Sequence, residues 1–256
     1  MNRIDERFKK LKEENKKALI PYICCGDPSV EDSEKLVYAL EEAGADIIEL
    51  GIPYSDPLAD GPVIQAAGLR AFAGGFRLED TFKIVKNVRK NSQIPLVIMV
   101  YYSSIIGFGK EKFVELCVDA DVDGLIVPDL PYEEYAELKP LLDETNVYMI
   151  PLVALTSEDR IPMLVKESKG FVYCVSSLGV TGVRKEFDTR IDSFVAKVKE
   201  ATDTPACIGF GISTKADVER FDKIADGCIV GSAIVRKIFD SKMNLDEIKA
   251  FVSSLK

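Results

Sequence analysis

Residues 47–62 read IIELGIPYSDPLADGP, an apolar run that changes abruptly into a loop. The run has the character of a parallel strand that is covered on both faces. The prolines and glycines after it stop the strand and prevent a helix from starting before Pro62. Glu49 lies inside the run, and Asp56 and Asp60 lie in the loop. This pattern predicts acid and base chemistry at one end of a sheet.

The same alternation of a short apolar run and an amphipathic segment continues along the whole chain. The segments between the runs carry apolar residues three and four positions apart, which is typical of helices with one buried face. Ser29 and Thr214 precede two of these segments and suit the N-cap position. Eight apolar runs are present, at residues 18–24, 45–51, 94–100, 123–129, 147–153, 170–176, 205–211 and 226–232.

Eight repeats of strand and helix predict an α/β fold of the closed (β/α)8 TIM-barrel class. We expect a single domain over residues 1–256, because no linker-like stretch interrupts the alternation. Residues 3–15, with Ile4, Phe8 and Leu11 on one face, predict an extra N-terminal helix that covers the barrel bottom. A doubly wound open sheet is the rival fold. That fold is disfavoured because the chain has eight apolar runs and because no G-x-G-x-x-G motif follows the first of them.

The composition narrows the classes of function. The formal net charge of -9 is spread along 256 residues, without a basic run that could follow a phosphate backbone. No stretch has the roughly 20 apolar residues that span a bilayer, and the charged N-terminus lacks the apolar core of a signal peptide. We therefore expect a cytoplasmic protein that binds neither nucleic acid nor membrane.

The chain contains no histidine. This absence excludes Ser-His-Asp and Cys-His catalysis as well as imidazole metal sites, and we expect no metal. Acid and base groups must then be carboxylates, Tyr, Lys or Cys. The six cysteines lack C-x-x-C spacing and lie mostly in apolar runs, so buried, reduced thiols are predicted.

Glu49 and Asp60 are the candidate catalytic groups. In a barrel the active site lies at the C-terminal ends of the strands. Alternation along the strand points Glu49 into the barrel mouth, where burial raises the pKa of a carboxyl group toward the range of a proton shuttle. An internal salt bridge is the competing interpretation of Glu49. The loop places Asp60 near Glu49 and favours catalysis, whereas Asp56 suits a structural turn.

Glycine-rich turns at three strand ends predict a site for an anion. The turns are Gly179-Val180-Thr181-Gly182, Gly209-Phe210-Gly211-Ile212-Ser213 and Gly231-Ser232-Ala233. Glycine lets backbone amides approach a phosphate closely, and a helix N-terminus adds a partial positive charge. The loops that follow the seventh and eighth strands are the usual phosphate location in such barrels. We therefore expect a phosphate monoester as ligand.

Six stretches, in order along nearly the whole chain, resemble the tryptophan synthase α subunit family. The second of them is long and unusual enough to be highly specific. The stretches are PYICCGDPS (21–29), ELGIPYSDPLADGPVIQ (49–65), PDLPYEE (128–134), GVTGVR (179–184), GFGIS (209–213) and GSAIV (231–235).

The resemblance implies cleavage of indole-3-glycerol phosphate to indole and glyceraldehyde 3-phosphate. The step is a retro-aldol cleavage in which the protonated indole ring is the electron sink, without lysine or metal. Glu49 would be the general acid and base, and Asp60 would stabilise positive charge at the indole nitrogen. The substrate-binding residues implied are Tyr22, Tyr101, Tyr173, Thr181, Gly182, Phe210, Gly211, Gly231 and Ser232. For Tyr22, a plain core tyrosine is the alternative.

The resemblance also implies a partner. In the family a β subunit carries pyridoxal phosphate and receives indole within an α-β-β-α complex, and no cofactor is expected on this chain. The loops that follow the second and sixth predicted strands, loops 2 and 6, would close over substrate and communicate with that partner. We expect loop 6, residues 176–188, to be disordered without ligand.

Two other functions stay open on the sequence. One is an allosteric activator of the β subunit with weak activity of its own, and the other is a free-standing lyase that releases indole. A different phosphosugar barrel, such as an epimerase, would need metal-binding histidines that the chain lacks.

Overall fold

The computed structural model describes residues 1–175, 190–209 and 211–256. The strands are β1 (Ala18–Cys24), β2 (Ile48–Gly51), β3 (Leu96–Met99), β4 (Gly124–Ile126), β5 (Tyr148–Met149), β6 (Leu152–Ala154), β7 (Val172–Val175), β8 (Ala206–Gly209) and β9 (Gly227–Val230). The helices are α1 (Arg3–Glu13), α2 (Val30–Glu42), α3 (Pro62–Ala73), α4 (Leu78–Arg89), α5 (Tyr102–Phe108), α6 (Lys110–Asp119), α7 (Lys139–Asp143), α8 (Ile161–Val165), α9 (Ile191–Ala201), α10 (Lys215–Phe221), α11 (Ser232–Asp240) and α12 (Leu245–Ser253).

The strands pair in parallel in the order β5-β4-β3-β2-β1-β9-β8-β7-β6. Where one strand was predicted at residues 147–153, the structure has β5 and β6, which are separated by Ile150 and Pro151. The Ile150 amide donates to the Leu125 carbonyl on one side at 2.9 Å, and the Pro151 carbonyl accepts from the Tyr173 amide on the other at 2.9 Å. Because proline has no amide to donate, the strand breaks there. The two halves still join β4 to β7, and the (β/α)8 barrel class is confirmed.

Helix α1 covers the bottom of the barrel, as predicted, and ends at Glu13. Its apolar residues Ile4, Phe8 and Leu11 are buried in one cluster with the inward-facing residues of the strands. The side chain of Asn2 accepts a hydrogen bond from the Ile4 amide and donates to the carbonyls of Asp123 and Asn146, at 2.7 to 2.8 Å. These bonds cap the helix and fasten it to the strand ends.

The other helices agree with the apolar spacing except between β4 and β5. Ser29 and Thr214 are N-caps, as predicted. After β4 the chain forms a 3-10 helix, Tyr132–Glu137, and only then the five-residue helix α7. Pro140 has no amide to donate to the carbonyl of Ala136, so a continuous α-helix cannot run through Leu138, and the segment is divided into two short pieces. No helix in the described part of the chain is long and apolar enough to cross a membrane.

The six cysteines are free and buried, as predicted. They occupy apolar positions on or beside strands and in one helix, where burial raises the pKa of each thiol. They therefore act as small hydrophobic side chains in the core.

Aspartates at the barrel bottom tie neighbouring βα units together. Each precedes one strand and accepts a hydrogen bond from a backbone amide of the strand beside it. The bonds are Leu19 N to Asp46 Oδ2, Leu96 N to Asp123 Oδ2 and Ala206 N to Asp226 Oδ2, at 2.8 to 3.1 Å. Asp123 is 1% exposed and also forms ion pairs with Arg89 at 2.6 Å and Arg3 at 2.9 Å. Asp123 is the most buried of the three aspartates, and both of its ionic partners are arginines.

Replacing Asp123 with Asn should lower the free energy of unfolding by about 3 kcal/mol, because two arginines lose their buried partner. Urea unfolding at pH 7 measures the change. Asp121→Asn is the matched control, since Asp121 pairs with the same Arg3 but is more than half exposed, and it should cost less than about 1 kcal/mol. Equal losses in the two variants would contradict the assignment.

Candidate active site

Glu49 lies on β2 in the interior of the barrel. It is 1% exposed, with Tyr22 of β1 and Val97 of β3 as its register neighbours. Among the described residues, neither carboxyl oxygen has a hydrogen-bond partner. The competing interpretation, an internal salt bridge, is therefore wrong within the described part of the chain. Burial, assisted by the nearby charge of Asp60, raises the pKa of Glu49 to about 8.

Asp60 lies in the loop between β2 and α3. Its backbone is held by two hydrogen bonds, from its own amide to the Pro57 carbonyl at 3.1 Å and from the Gln65 side chain to its carbonyl at 2.7 Å. The hydroxyl of Tyr101 donates to Asp60 Oδ2 at 3.2 Å. Burial raises the pKa of Asp60 to about 6, and the Tyr101 hydrogen bond opposes that rise. The two carboxyl groups therefore differ in protonation near neutral pH.

One cavity at the C-terminal ends of the strands contains both carboxyl groups. It is lined by Tyr22, Glu49, Ala59, Asp60, Ile64, Met99, Pro128, Leu152, Tyr173, Gly211, Ile212, Ile229, Gly231 and Ser232. The predicted residues Tyr22, Glu49, Asp60, Tyr173, Gly211, Gly231 and Ser232 are thus brought together. Tyr101 lies behind Asp60 and is not part of the lining. Thr181, Gly182 and Phe210, as well as the loop at 176–188, lie outside the described residues.

The sequence did not identify the apolar part of this lining. Ile64, Met99, Leu152 and Ile229 contribute it, with Pro128. Met99 ends β3, and Leu152 lies on β6. Because active sites of barrels lie at the carboxyl ends of the strands, a search of those ends could have identified both residues. The side chain of Ile64 enters from α3, and no local pattern in the sequence indicates that.

The part of the cavity lining that follows β8 and β9 suits an anion. Gly231 and Ser232 form the N-terminus of α11, and Gly211 follows β8 nearby. Free amides at a helix N-terminus point outward and favour negative charge. The cavity therefore combines apolar side chains, two carboxyl groups and a helix N-terminus, which fits a ligand that has both an apolar ring and a phosphate.

Two tyrosines lie directly over glycines of the neighbouring strand. A Cβ atom on Gly51 would be 2.0 Å from the hydroxyl oxygen of Tyr22, and one on Gly209 would be 2.4 Å from that of Tyr173. Both tyrosines are buried, and burial raises the pKa of each phenol, so the hydroxyls stay neutral. The glycines thus make room for the two rings that line the cavity.

The chain is similar to known proteins along nearly its whole length. A family model described as Tryptophan synthase alpha chain matches residues 8–256. The tryptophan synthase alpha chain of Thermoanaerobacter sp. (strain X514) is 51% identical over 259 residues, covering 100% of this chain and 99% of that relative. The one of Clostridium beijerinckii is 46% identical over 258 residues and covers 100% of both chains.

Solved structures show the same similarity. The tryptophan synthase subunit alpha from Legionella pneumophila str. Paris superposes with a TM-score of 0.90 at 34% identity, covering 100% of this chain and 97% of that one. A chain from the tryptophan synthase a2b2 complex of Pyrococcus furiosus superposes with a TM-score of 0.86 at 34% identity, covering 93% and 97%.

Replacing Gly51 with Ala should displace the Tyr22 ring and lower the free energy of unfolding by about 1–3 kcal/mol, the usual cost of overpacking. Denaturant unfolding measures the loss. Gly107→Ala is the control, because a Cβ atom there meets nothing within 4 Å and alanine favours helix α5. If G51A proved as stable as G107A, the close packing of Tyr22 on β2 would be contradicted.

Proposed function

Because the chain belongs to the tryptophan synthase alpha chain family, we propose that it is a carbon-carbon lyase that cleaves indole-3-glycerol phosphate to indole and glyceraldehyde 3-phosphate. As a family member it is an enzyme of tryptophan biosynthesis, and its partner is the β subunit. One observation carries the proposal. Glu49, buried without a partner among the described residues, shares a cavity with Asp60, and their pKa values of about 8 and about 6 assign them opposite protonation states at pH 7.

Glu49 supplies the proton that starts the reaction. As a neutral carboxylic acid it can protonate carbon 3 of the indole ring, which becomes an iminium-like cation. The ionised Asp60 stabilises the positive charge that develops at the ring nitrogen. A protonated acid and an anion in one cavity are what this step requires, and environments that push two pKa values apart produce this pair.

Cleavage follows from the cation. The Glu49 carboxylate accepts the proton of the hydroxyl group on the side-chain carbon next to the ring. That carbon becomes the aldehyde carbon of glyceraldehyde 3-phosphate. The electron pair of the broken carbon-carbon bond returns to the ring, neutralises the cation and releases indole. Glu49 ends the cycle protonated, so no net proton is consumed.

The other lining residues orient the substrate. Gly211, Gly231 and Ser232, with the N-terminus of α11, are the described groups that would bind the phosphate. Tyr22 and Tyr173 would contact the ring from the barrel floor. Thr181, Gly182 and Phe210 remain predictions from the sequence.

The wider setting of the chain is part of the same proposal. Residues 1–256 would act as one catalytic domain without a cofactor of its own, in the cytoplasm, within an α-β-β-α complex that passes indole to the β subunit. Assays with and without the β subunit separate this proposal from the two alternatives, an activator with weak cleavage and a free-standing lyase.

The pH profile of kcat/KM with indole-3-glycerol phosphate should be bell-shaped. Activity should rise with pH as Asp60 ionises near pH 6 and fall as Glu49 loses its proton near pH 8. Because the two groups interact, these limbs belong to the pair. The profile is measured by indole release.

Replacing Glu49 with Gln keeps the shape of the side chain but removes the proton that is transferred. Turnover should fall by at least about a hundredfold, the scale of general acid and base catalysis. Glu14→Gln, at an exposed site near the barrel bottom, is the matched control and should leave turnover unchanged. Near-normal cleavage by E49Q would refute the role of Glu49.

A further inference from the structure

Tyr101 lies two residues after the end of β3. It is 5% exposed and occupies the N-cap position of α5. The amide of the next residue, Tyr102, donates to Asp129 Oδ1 at 2.7 Å, which fixes the backbone at this turn. The Tyr101 side chain therefore starts from a constrained position and reaches into the loop between β2 and α3, which we call loop 2 (residues 52–61).

The hydroxyl of Tyr101 forms two hydrogen bonds with consecutive residues of loop 2. It accepts one from the Ala59 amide at 3.0 Å and donates one to Asp60 Oδ2 at 3.2 Å. Accepting from a backbone amide leaves the hydroxyl proton available for Asp60, so the bond to the carboxylate has a defined direction.

The ring of Tyr101 also contacts the beginning of loop 2. It stacks on the ring of Tyr54, with centroids 4.7 Å apart and planes 21° apart. Offset stacking of this kind stabilises a contact by about 0.5–1.5 kcal/mol beyond burial. The Tyr101 side chain thus contacts loop 2 both before and after the three exposed residues of that loop, which are Ser55, Asp56 and Leu58.

We propose that Tyr101 is a positioning residue that orients the carboxylate of Asp60 for the reaction and keeps it ionised, and that the stack with Tyr54 holds Tyr101 in place. This inference rests on the proposed function, because it gives Asp60 the role assigned above. It differs from the sequence-based expectation that Tyr101 binds substrate directly.

The electrostatics of the cavity explain why such a residue is needed. Burial raises the pKa of Asp60, and the Tyr101 hydrogen bond is what lowers it. Without that bond the Asp60 pKa would move toward that of Glu49, and the difference between acid and anion would shrink. Within the described part of the chain, the titratable side chains that interact with Asp60 from the surrounding elements are Tyr22, Cys24, Glu49, Tyr101 and Tyr173. None of these five is a cation, and among them the Tyr101 hydroxyl is the group that lowers the pKa of Asp60.

Replacing Tyr101 with Phe in the chain assembled with its β subunit tests the proposal. The acid limb of the kcat/KM profile, where activity rises with pH, should move up by about one pH unit. The value of kcat/KM at pH 6 should fall about fivefold, because the ionised fraction of Asp60 drops from about one half to about one tenth. The KM for indole-3-glycerol phosphate should change by less than about twofold, because a residue behind Asp60 does not contact the substrate. Tyr54→Leu removes the ring that stacks on Tyr101 but keeps the Tyr101 hydroxyl. This variant should move the acid limb in the same direction by a smaller amount.

Tyr148→Phe is the matched control. It removes a tyrosine hydroxyl that donates to Asp5 at 2.7 Å, at the bottom of the barrel, and should leave the pH profile unchanged. A Y101F variant with an unmoved acid limb overturns the proposal, whether or not its rate falls, because a purely structural loss lowers the rate at every pH. A raised KM with an unchanged limb would instead restore direct substrate binding.

Asp60→Asn separates this inference from the proposed function. If D60N loses activity while Y101F keeps its acid limb, Asp60 is catalytic but Tyr101 does not control it. If D60N stays fully active, the role of Asp60 itself fails, and the inference about Tyr101 fails with it.

Discussion

A carboxylic acid enclosed in the barrel without a hydrogen-bond partner among the described residues is the constraint on which the site depends. Transfer of an ionised carboxylate from water into an apolar interior is so unfavourable that the group takes up a proton instead. The parallel register places Glu49 between Tyr22 and Val97, where neither neighbour offers a charge. The fold itself therefore keeps Glu49 protonated, and in the proposed mechanism this side chain is the proton donor.

The second carboxyl group has the opposite character because it comes from a loop. Asp60 lies in the same cavity, but it receives a hydrogen bond from Tyr101 and lies in a loop that is partly exposed. A strand residue has its surroundings fixed by the pleat, whereas a loop residue can be supported from a neighbouring strand end. This division of labour, with the acid on a strand and the anion on a loop, accounts for pKa values on either side of neutrality.

The repeating features of the fold could be predicted from the sequence. Features that depend on one contact between residues far apart in the sequence could not. Eight apolar runs, the covering helix α1 and the inward position of Glu49 follow from periodicity, and all three are present in the structure. The break at Pro151 was hidden, because its flanking residues are as apolar as a strand. The support of Asp60 by Tyr101 joins residues 41 positions apart, and the room that Gly51 leaves for Tyr22 depends on cross-strand register. Neither can be obtained from local pattern.

The most direct test of the account is the protonation state of Glu49 in the folded protein. Infrared difference spectra between the wild-type chain and E49Q, recorded from pH 5 to 10, isolate the stretch of this carboxyl group. A protonated Glu49 should give a carbonyl band at pH 7 that disappears as the pH rises through about 8. A carboxylate band that is already complete at pH 6 would show an ionised, solvated side chain, and would contradict the central claim.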